Sequence, residues 1–168
     1  MKIMKKIITL LGIVGLLTLQ SCTTSASFEI APAARTEVFE VTTSFNSNNN
    51  FSRLIPFDPP IYSSDVVLTY RLSGSNSQGD IWEPLPETYY FNNGTLDFGY
   101  RFDYTNRDVD VYMVGNDLQS VSQNFRLNQV IRIVIVPASY AKSINKNSYT
   151  DVTTALNLKD RQIEKINL

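Results

Sequence analysis

The sequence predicts an all-β protein, an antiparallel β-sandwich with one short C-terminal helix. From Thr36 onward, apolar residues recur mainly at every second position, which is the period of a half-buried strand. Turn dipeptides and stretches rich in Ser, Asn and Gly separate these alternating segments. Many short strands between polar turns are typical of a sandwich, and residues 36–168 are expected to form one domain.

Three strands are predicted in the first half of this domain. Residues 37–45 and 65–72 alternate apolar with polar side chains, so each is expected to have one buried and one wet face. Residues 51–57 form a shorter candidate that ends at the two prolines, Pro59 and Pro60. Residues 73–80, like residues 46–50, are interpreted as a polar loop.

A three-stranded meander is predicted next. Residues 95–104 place five apolar side chains on one face and polar or small ones on the other. Asn93-Gly94 suits a two-residue type I′ turn, so residues 87–92 should pair back against this strand. A turn at residues 105–108 then leads into a third strand.

The last strongly apolar segment differs from the others. In residues 130–136 only Arg132 is polar, which is typical of a central strand covered on both faces. Apolar residues at helical spacing predict a short helix over residues 149–157. Residues 161–168 are interpreted as a final edge strand, with a continuation of the helix as the alternative. The intervening residues 116–124 and 139–148 are expected to be loops.

The first 22 residues read as an export signal that ends in the only cysteine. Three lysines precede an apolar run, residues 7–19, which is shorter than the roughly 20 residues that a membrane-spanning helix needs. Leu19-Gln20-Ser21-Cys22 resembles the bacterial lipobox, which implies cleavage of residues 1–21 and lipidation of Cys22. Residues 22–35 are polar and lack a hydrophobic period, so they are interpreted as a flexible tether.

Composition excludes several classes of function. Without the three lysines of the signal, 12 basic residues remain against 16 acidic ones, a net charge of −4 that does not favour nucleic acid. The sequence contains no histidine, and its single thiol is assigned to lipid. This excludes three kinds of site: nucleophiles that are activated by a histidine, zinc sites with imidazole or thiolate ligands, and disulfides.

Carboxylates are the remaining candidates for chemistry. Residues 103–110 have some of the spacing of a calcium loop, but Arg107 interrupts them and no glycine makes the sharp turn. A solvated hairpin turn with capping aspartates is the alternative interpretation. Asp97 and Asp103 lie about 20 Å apart along one strand, too far for paired glycosidase carboxylates. No catalytic residue, metal ligand or cofactor is assigned.

Aromatic residues are the other candidates, and they are concentrated around Trp82, Tyr89 and Tyr90. Exposed Trp and Tyr side chains stack on sugars or dock a partner, whereas buried ones pack in the core of a sandwich. Because Tyr89 and Tyr90 are adjacent, they are expected to point to opposite faces of the strand. These three residues are the predicted contacts for a ligand or partner.

Four strings carry a resemblance to a family: residues 65–70 (DVVLTY), 79–86 (GDIWEPLP), 102–105 (FDYT) and 130–138 (VIRIVIVPA). Together they resemble a family of small, functionally uncharacterised lipoproteins from Bacteroidota, especially flavobacteria. The resemblance covers residues 36–168. It implies a cell-envelope location and an all-β fold, and it supplies no catalytic residues.

The expected function is therefore a non-enzymatic binding or structural role in a lipid-anchored protein of the cell envelope. An envelope hydrolase that uses only carboxylates, acting on glycan or peptide, is the alternative. The expected partners are the membrane, through the lipid, and an envelope protein or glycan. Signals that resemble those of surface-exposed Bacteroidota lipoproteins carry acidic residues directly after the cysteine, whereas here the residues after Cys22 are neutral until Glu29. By that resemblance the domain is expected at the periplasmic face of the outer membrane, with surface exposure as the alternative.

Overall fold

The computed structural model describes residues 36–158 and 163–166. The predicted signal, Cys22 and the tether lie outside these residues. The strands are β1 (Glu37–Thr43), β2 (Ser52–Pro56), β3 (Val66–Asn76), β4 (Gly79–Pro84), β5 (Glu87–Tyr90), β6 (Leu96–Tyr104), β7 (Asp108–Gly115), β8 (Gln129–Val136) and β9 (Glu164–Ile166). The short helices are α1 (Gln123–Arg126), α2 (Ala138–Ala141) and α3 (Tyr149–Ala155), and a 3-10 turn spans Ser47–Asn49.

The strands form two sheets that pack face to face, so the predicted β-sandwich is confirmed. One sheet has the order β4-β3-β8-β1-β9 and the other the order β2-β7-β6-β5. Every pairing is antiparallel except that of β9, which lies parallel to β1. Residues 164–166 thus form the predicted edge strand.

Alternation along the strands builds the core between the sheets. Every second side chain of β1, β7 and β8 points into this layer and is buried, as expected for strands with a period of two. The core side chains with no exposed surface include Val41, Phe45, Tyr100, Val109, Val111, Ile131 and Ile133.

β8 is covered on both faces, as its composition predicts. Its other face packs against a second cluster that includes Ala141, Ile144 and Val152, from the segment containing α2 and α3. Seven of its eight residues are buried. The helix predicted over residues 149–157 is confirmed as α3, while α1 and α2 lie in segments that were expected to be loops.

The hairpin of β3 and β4 corrects the prediction for residues 73–80. β3 pairs with β8 only as far as Arg71, but it continues to Asn76 while paired with β4. Residues 73–81 are all exposed, so the two strands extend past the sheet as a ribbon, the β3–β4 arm. These residues have no buried face, and the apolar alternation that marks other strands is therefore missing.

Candidate functional site

The hairpin between β5 and β6 presents two neighbouring aromatic side chains to solvent. Tyr90 is 65% exposed and Phe91 is 53% exposed. The backbone holds them firmly: the Phe91 amide donates to the Thr95 carbonyl at 2.9 Å, and the Gly94 amide donates to the Phe91 carbonyl at 2.9 Å. Adjacent large apolar groups on a rigid turn are a feature of contact surfaces.

This turn is not the predicted type I′. The bond between Phe91 and Thr95 encloses three residues, and of these Gly94 has a positive φ of 82° while Asn93 is not among the positive-φ residues. The Asn93 side-chain oxygen accepts from the Thr95 amide at 3.0 Å. A three-residue loop with glycine in the left-handed region is the next most common hairpin after the two-residue form.

Trp82 is occupied within the fold. Its ring lies beneath the guanidinium of Arg132, with 3.8 Å between the guanidinium carbon and the ring centroid. Tyr149 of α3 lies 5.8 Å from the same ring. The structure therefore places Trp82 under α3, on the covered face of the five-stranded sheet.

Tyr89 points to the opposite face from Tyr90, as predicted. Its ring stacks on Phe98 at 4.4 Å, with an angle of 13° between the planes, and Phe125 of α1 lies 5.1 Å away. Of the three predicted contact residues, Tyr90 is thus the one with an exposed ring, and the exposed Phe91 beside it was not among them.

A buried polar cluster lies beneath this hairpin. Arg71 binds both oxygens of Glu87, Nε to Oε2 at 2.8 Å and Nη2 to Oε1 at 2.9 Å. Its Nη2 donates to the Tyr89 hydroxyl at 2.7 Å and its Nη1 to the Gln129 amide oxygen at 3.2 Å. Burial raises the pKa of Tyr89 to about 12, and the hydrogen bond to Glu87 adds to the shift.

This cluster holds β5 against the rest of the molecule. Burial alone would lower the pKa of Arg71, but its hydrogen bonds to Glu87 raise the pKa above its usual value, which keeps the side chain charged. A bidentate Arg–carboxylate pair has a fixed geometry. It therefore links β3 in one sheet to β5 in the other and orients the strand that carries Tyr90.

The acidic residues of β6 and β7 are positioned by the pairing of these two strands. Asp103 and Asp110 lie directly opposite each other, and the Ser52 hydroxyl donates to Asp110. Within residues 36–158 and 163–166, no group of three or more His, Cys, Asp or Glu side chains is arranged to hold a metal ion. The aspartates of residues 103–110 are strand and turn residues in the structure.

The strands define a near end of the sandwich, where the chain enters. Thr36 precedes β1, and Glu37 at the start of β1 pairs with Ile135 near the end of β8. Phe39 contacts Phe57 after β2, with ring centroids 6.4 Å apart. The Phe57 amide in turn donates to the Arg107 carbonyl in the β6–β7 turn at 2.6 Å. Residues 57–65, 105–107 and 137–148 thus share this near end.

The far end of the sandwich comprises residues 44–51, 73–80, 91–95 and 116–128. The Phe45 amide donates to the Arg126 carbonyl at 2.7 Å, which joins the β1–β2 and β7–β8 connections. β6, which has nine residues, separates the aromatic hairpin from the near end by about 30 Å at the usual strand rise. Tyr90 and Phe91 therefore lie at the end opposite to Thr36.

No family model, no curated protein and no solved structure matches this chain. Among the described residues, no helix has both the length and the apolar composition needed to cross a membrane. What this site binds is therefore inferred from the exposure, contacts and charge of its own residues.

Proposed function

We propose that this protein is a lipid-anchored β-sandwich of the cell envelope that binds or assembles with a partner without catalysis. The lipid on Cys22 holds it at the periplasmic face of the outer membrane, and the Bacteroidota family that the sequence resembles consists of lipoproteins. The exposed aromatic hairpin of Tyr90 and Phe91 makes the contact.

The observation that carries this proposal is the separation of the two ends. The chain enters the domain at Thr36, so an anchor on Cys22 is joined to the near end. Tyr90 and Phe91 lie about 30 Å away, at the far end. Residues 22–35, which contain 14 residues, span at most about 50 Å when extended. The proposed contact surface and the point where the chain enters the domain are therefore at opposite ends of the sandwich.

The state of the buried carboxylates supports a role without catalysis. Glu40 binds Arg132 and Glu87 binds Arg71, and each carboxylate is held by a charged partner. Both carboxylates therefore serve to hold neighbouring strands in place. Asp103 and Asp110 lie side by side on the outer face of the four-stranded sheet, where the Ser52 hydroxyl donates to Asp110.

Photo-crosslinking in intact cells tests the proposal. A photoreactive amino acid replaces Tyr90 in one strain and Tyr140 in another, and adducts are detected after irradiation. Tyr140 is a matched control because it is 51% exposed but lies at the near end. We expect a discrete adduct from position 90 and none of the same mass from position 140.

Three results would overturn this function. The absence of any adduct from position 90 would leave the hairpin without a partner. Adducts that form only from position 140 would place the contact at the near end. Reproducible turnover of a polysaccharide or peptide panel by the purified protein, abolished by changing one Asp or Glu, would favour the carboxylate-dependent hydrolase instead.

A further inference from the structure

The far end of the sandwich is almost free of charge. More than half of its residues are Ser, Asn or Gln, and its only charged residues are Asp80, Asp117 and Arg126. The shorter connections at the near end carry five charged side chains: Asp58, Asp65, Arg107, Lys142 and Lys146. The two ends therefore offer different chemistry, although both are composed largely of polar connections.

Two of the three charged side chains at the far end are used locally. The Arg126 Nε donates to the Val121 carbonyl at 2.6 Å, and an Asp117 carboxylate oxygen accepts from the Ser120 amide at 3.3 Å. A charged partner that gave up its hydration at this surface would gain little from ion pairing. A neutral partner has no charge to dehydrate when it binds.

Amide and hydroxyl side chains are the commonest exposed polar groups at the far end. Asn92 lies next to Phe91, and the other exposed residues of this kind at the far end include Asn48, Asn50, Ser75, Ser77, Gln78, Asn116 and Gln119. An amide side chain offers a donor and an acceptor side by side, which matches a pair of neighbouring sugar hydroxyls. An aromatic ring offers the apolar face on which a sugar ring stacks.

We propose that the far end binds a neutral glycan, with Tyr90 and Phe91 stacking on sugar rings and exposed amide and hydroxyl side chains of the same end binding the sugar hydroxyl groups. This inference rests on the proposed function, since it names the partner of the same hairpin. The hydrogen-bonded turn that holds Phe91 favours binding, because it loses little conformational entropy when the glycan docks.

Affinity electrophoresis of the full chain tests the inference, using a detergent without a sugar headgroup. Native gels contain one neutral polysaccharide each (xyloglucan, glucomannan, laminarin or amylopectin), or an anionic one (polygalacturonate or heparin). We expect retardation by at least one neutral polysaccharide and none by the anionic ones. Tyr90→Ala and Phe91→Ala should each raise the apparent Kd about tenfold or more.

Tyr140→Ala is the control variant, and its retardation should equal that of the unmodified chain. The inference is overturned if no neutral polysaccharide retards the protein, if the anionic ones retard it more, or if the Tyr90 and Phe91 variants migrate as the control does. The adducts from position 90 distinguish the two proposals. An adduct with a protein would reject the glycan as partner but retain the hairpin as the contact surface. The absence of any adduct at position 90 would reject the proposed function itself.

Discussion

Arg132 and Glu40 lie directly opposite each other on β8 and β1, on the face of the five-stranded sheet that the helices cover. Both are buried, and Arg132 donates from Nε to Glu40 Oε1 at 3.0 Å. Lys165 of β9 lies 3.7 Å from the other Glu40 oxygen, so the row of charges extends across three strands. The polar interruption in an otherwise apolar strand is thus matched by a carboxylate one strand away.

Replacing Arg132 with lysine should destabilise the protein. A lysine keeps the charge but loses the planar stacking on Trp82 and the forked contact with Glu40. We expect the free energy of unfolding to fall by about 2 kcal/mol, since one partner of a buried pair is weakened. Thermal unfolding should show a Tm lower by several degrees.

Arg107→Lys is the matched control, because Arg107 is exposed in the β6–β7 turn. This change should alter stability by no more than about 0.5 kcal/mol. Equal melting temperatures for the two variants would contradict the importance of the stacked pair.

Stability should decline in alkaline solution. Burial raises the pKa of Tyr70 to about 12, and burial together with the hydrogen bond to Glu87 raises the pKa of Tyr89 to about 12. In the unfolded chain a tyrosine titrates near pH 10, so between about pH 10 and 12 the unfolded state binds fewer protons than the folded one. The contribution of these tyrosines is therefore complete below pH 10 and is lost as the pH rises towards 12.

Urea titrations at several pH values between 8 and 12 measure this effect. Tyr89→Phe should lower stability at pH 8, because the hydroxyl bonds with Arg71 and Glu87 are lost. Its stability should then decline less steeply above pH 10. An unchanged slope in both Tyr89→Phe and Tyr70→Phe would show that other groups govern the alkaline transition.

Adding a methyl group at Gly99 should disturb the pairing of β5 with β6. A Cβ atom there would lie 2.6 Å from the Glu87 carbonyl oxygen and 3.0 Å from Arg101 Nη1. Because the first contact is with backbone, β5 has to shift, and we expect Gly99→Ala to cost about 1–3 kcal/mol in denaturant unfolding. Gly74→Ala is the control, since no atom lies within 4 Å of its added Cβ. Equal stabilities of the two variants would refute the close approach of β5.

Cys22→Ser should release the protein from the membrane fraction or leave it as uncleaved precursor. Cys22 is the only cysteine, and the apolar run before it is too short to span a bilayer stably. Fractionation of cells followed by immunoblotting measures both outcomes. Cleaved protein that stays with the membranes after this change would be evidence against a lipid anchor.

Local sequence was sufficient to predict the strands and helices whose buried side chains recur at a regular spacing. The apolar run of residues 130–136 predicted a doubly covered strand, because a strand with apolar side chains on both faces has to be covered twice. β4 was missed, since half of its residues lie in the exposed arm and bury no face. α1 and α2 have four residues each, too few to show a helical period.

The candidate site was harder to predict, because its determinants are contacts between distant residues. Trp82 was predicted as a contact residue, yet its ring is stacked on Arg132, which lies 50 positions away. Tyr89 is fixed by Arg71 and by Phe125, neither of which a local pattern connects to it. What the sequence did predict is the opposite orientation of Tyr89 and Tyr90, since this follows from the pleat of a single strand.

The place of β1 has a mechanical consequence. β1 lies between β8 and β9, and the chain enters at its first residue, at the end opposite to Tyr90 and Phe91. A force applied ahead of Thr36 and resisted at the far end is directed along the strand, perpendicular to its hydrogen bonds. The seven residue pairs that join β1 to β8 are then strained together in shear instead of opening one after another. A pull on the chain ahead of Thr36 is therefore opposed by all of these pairs at once.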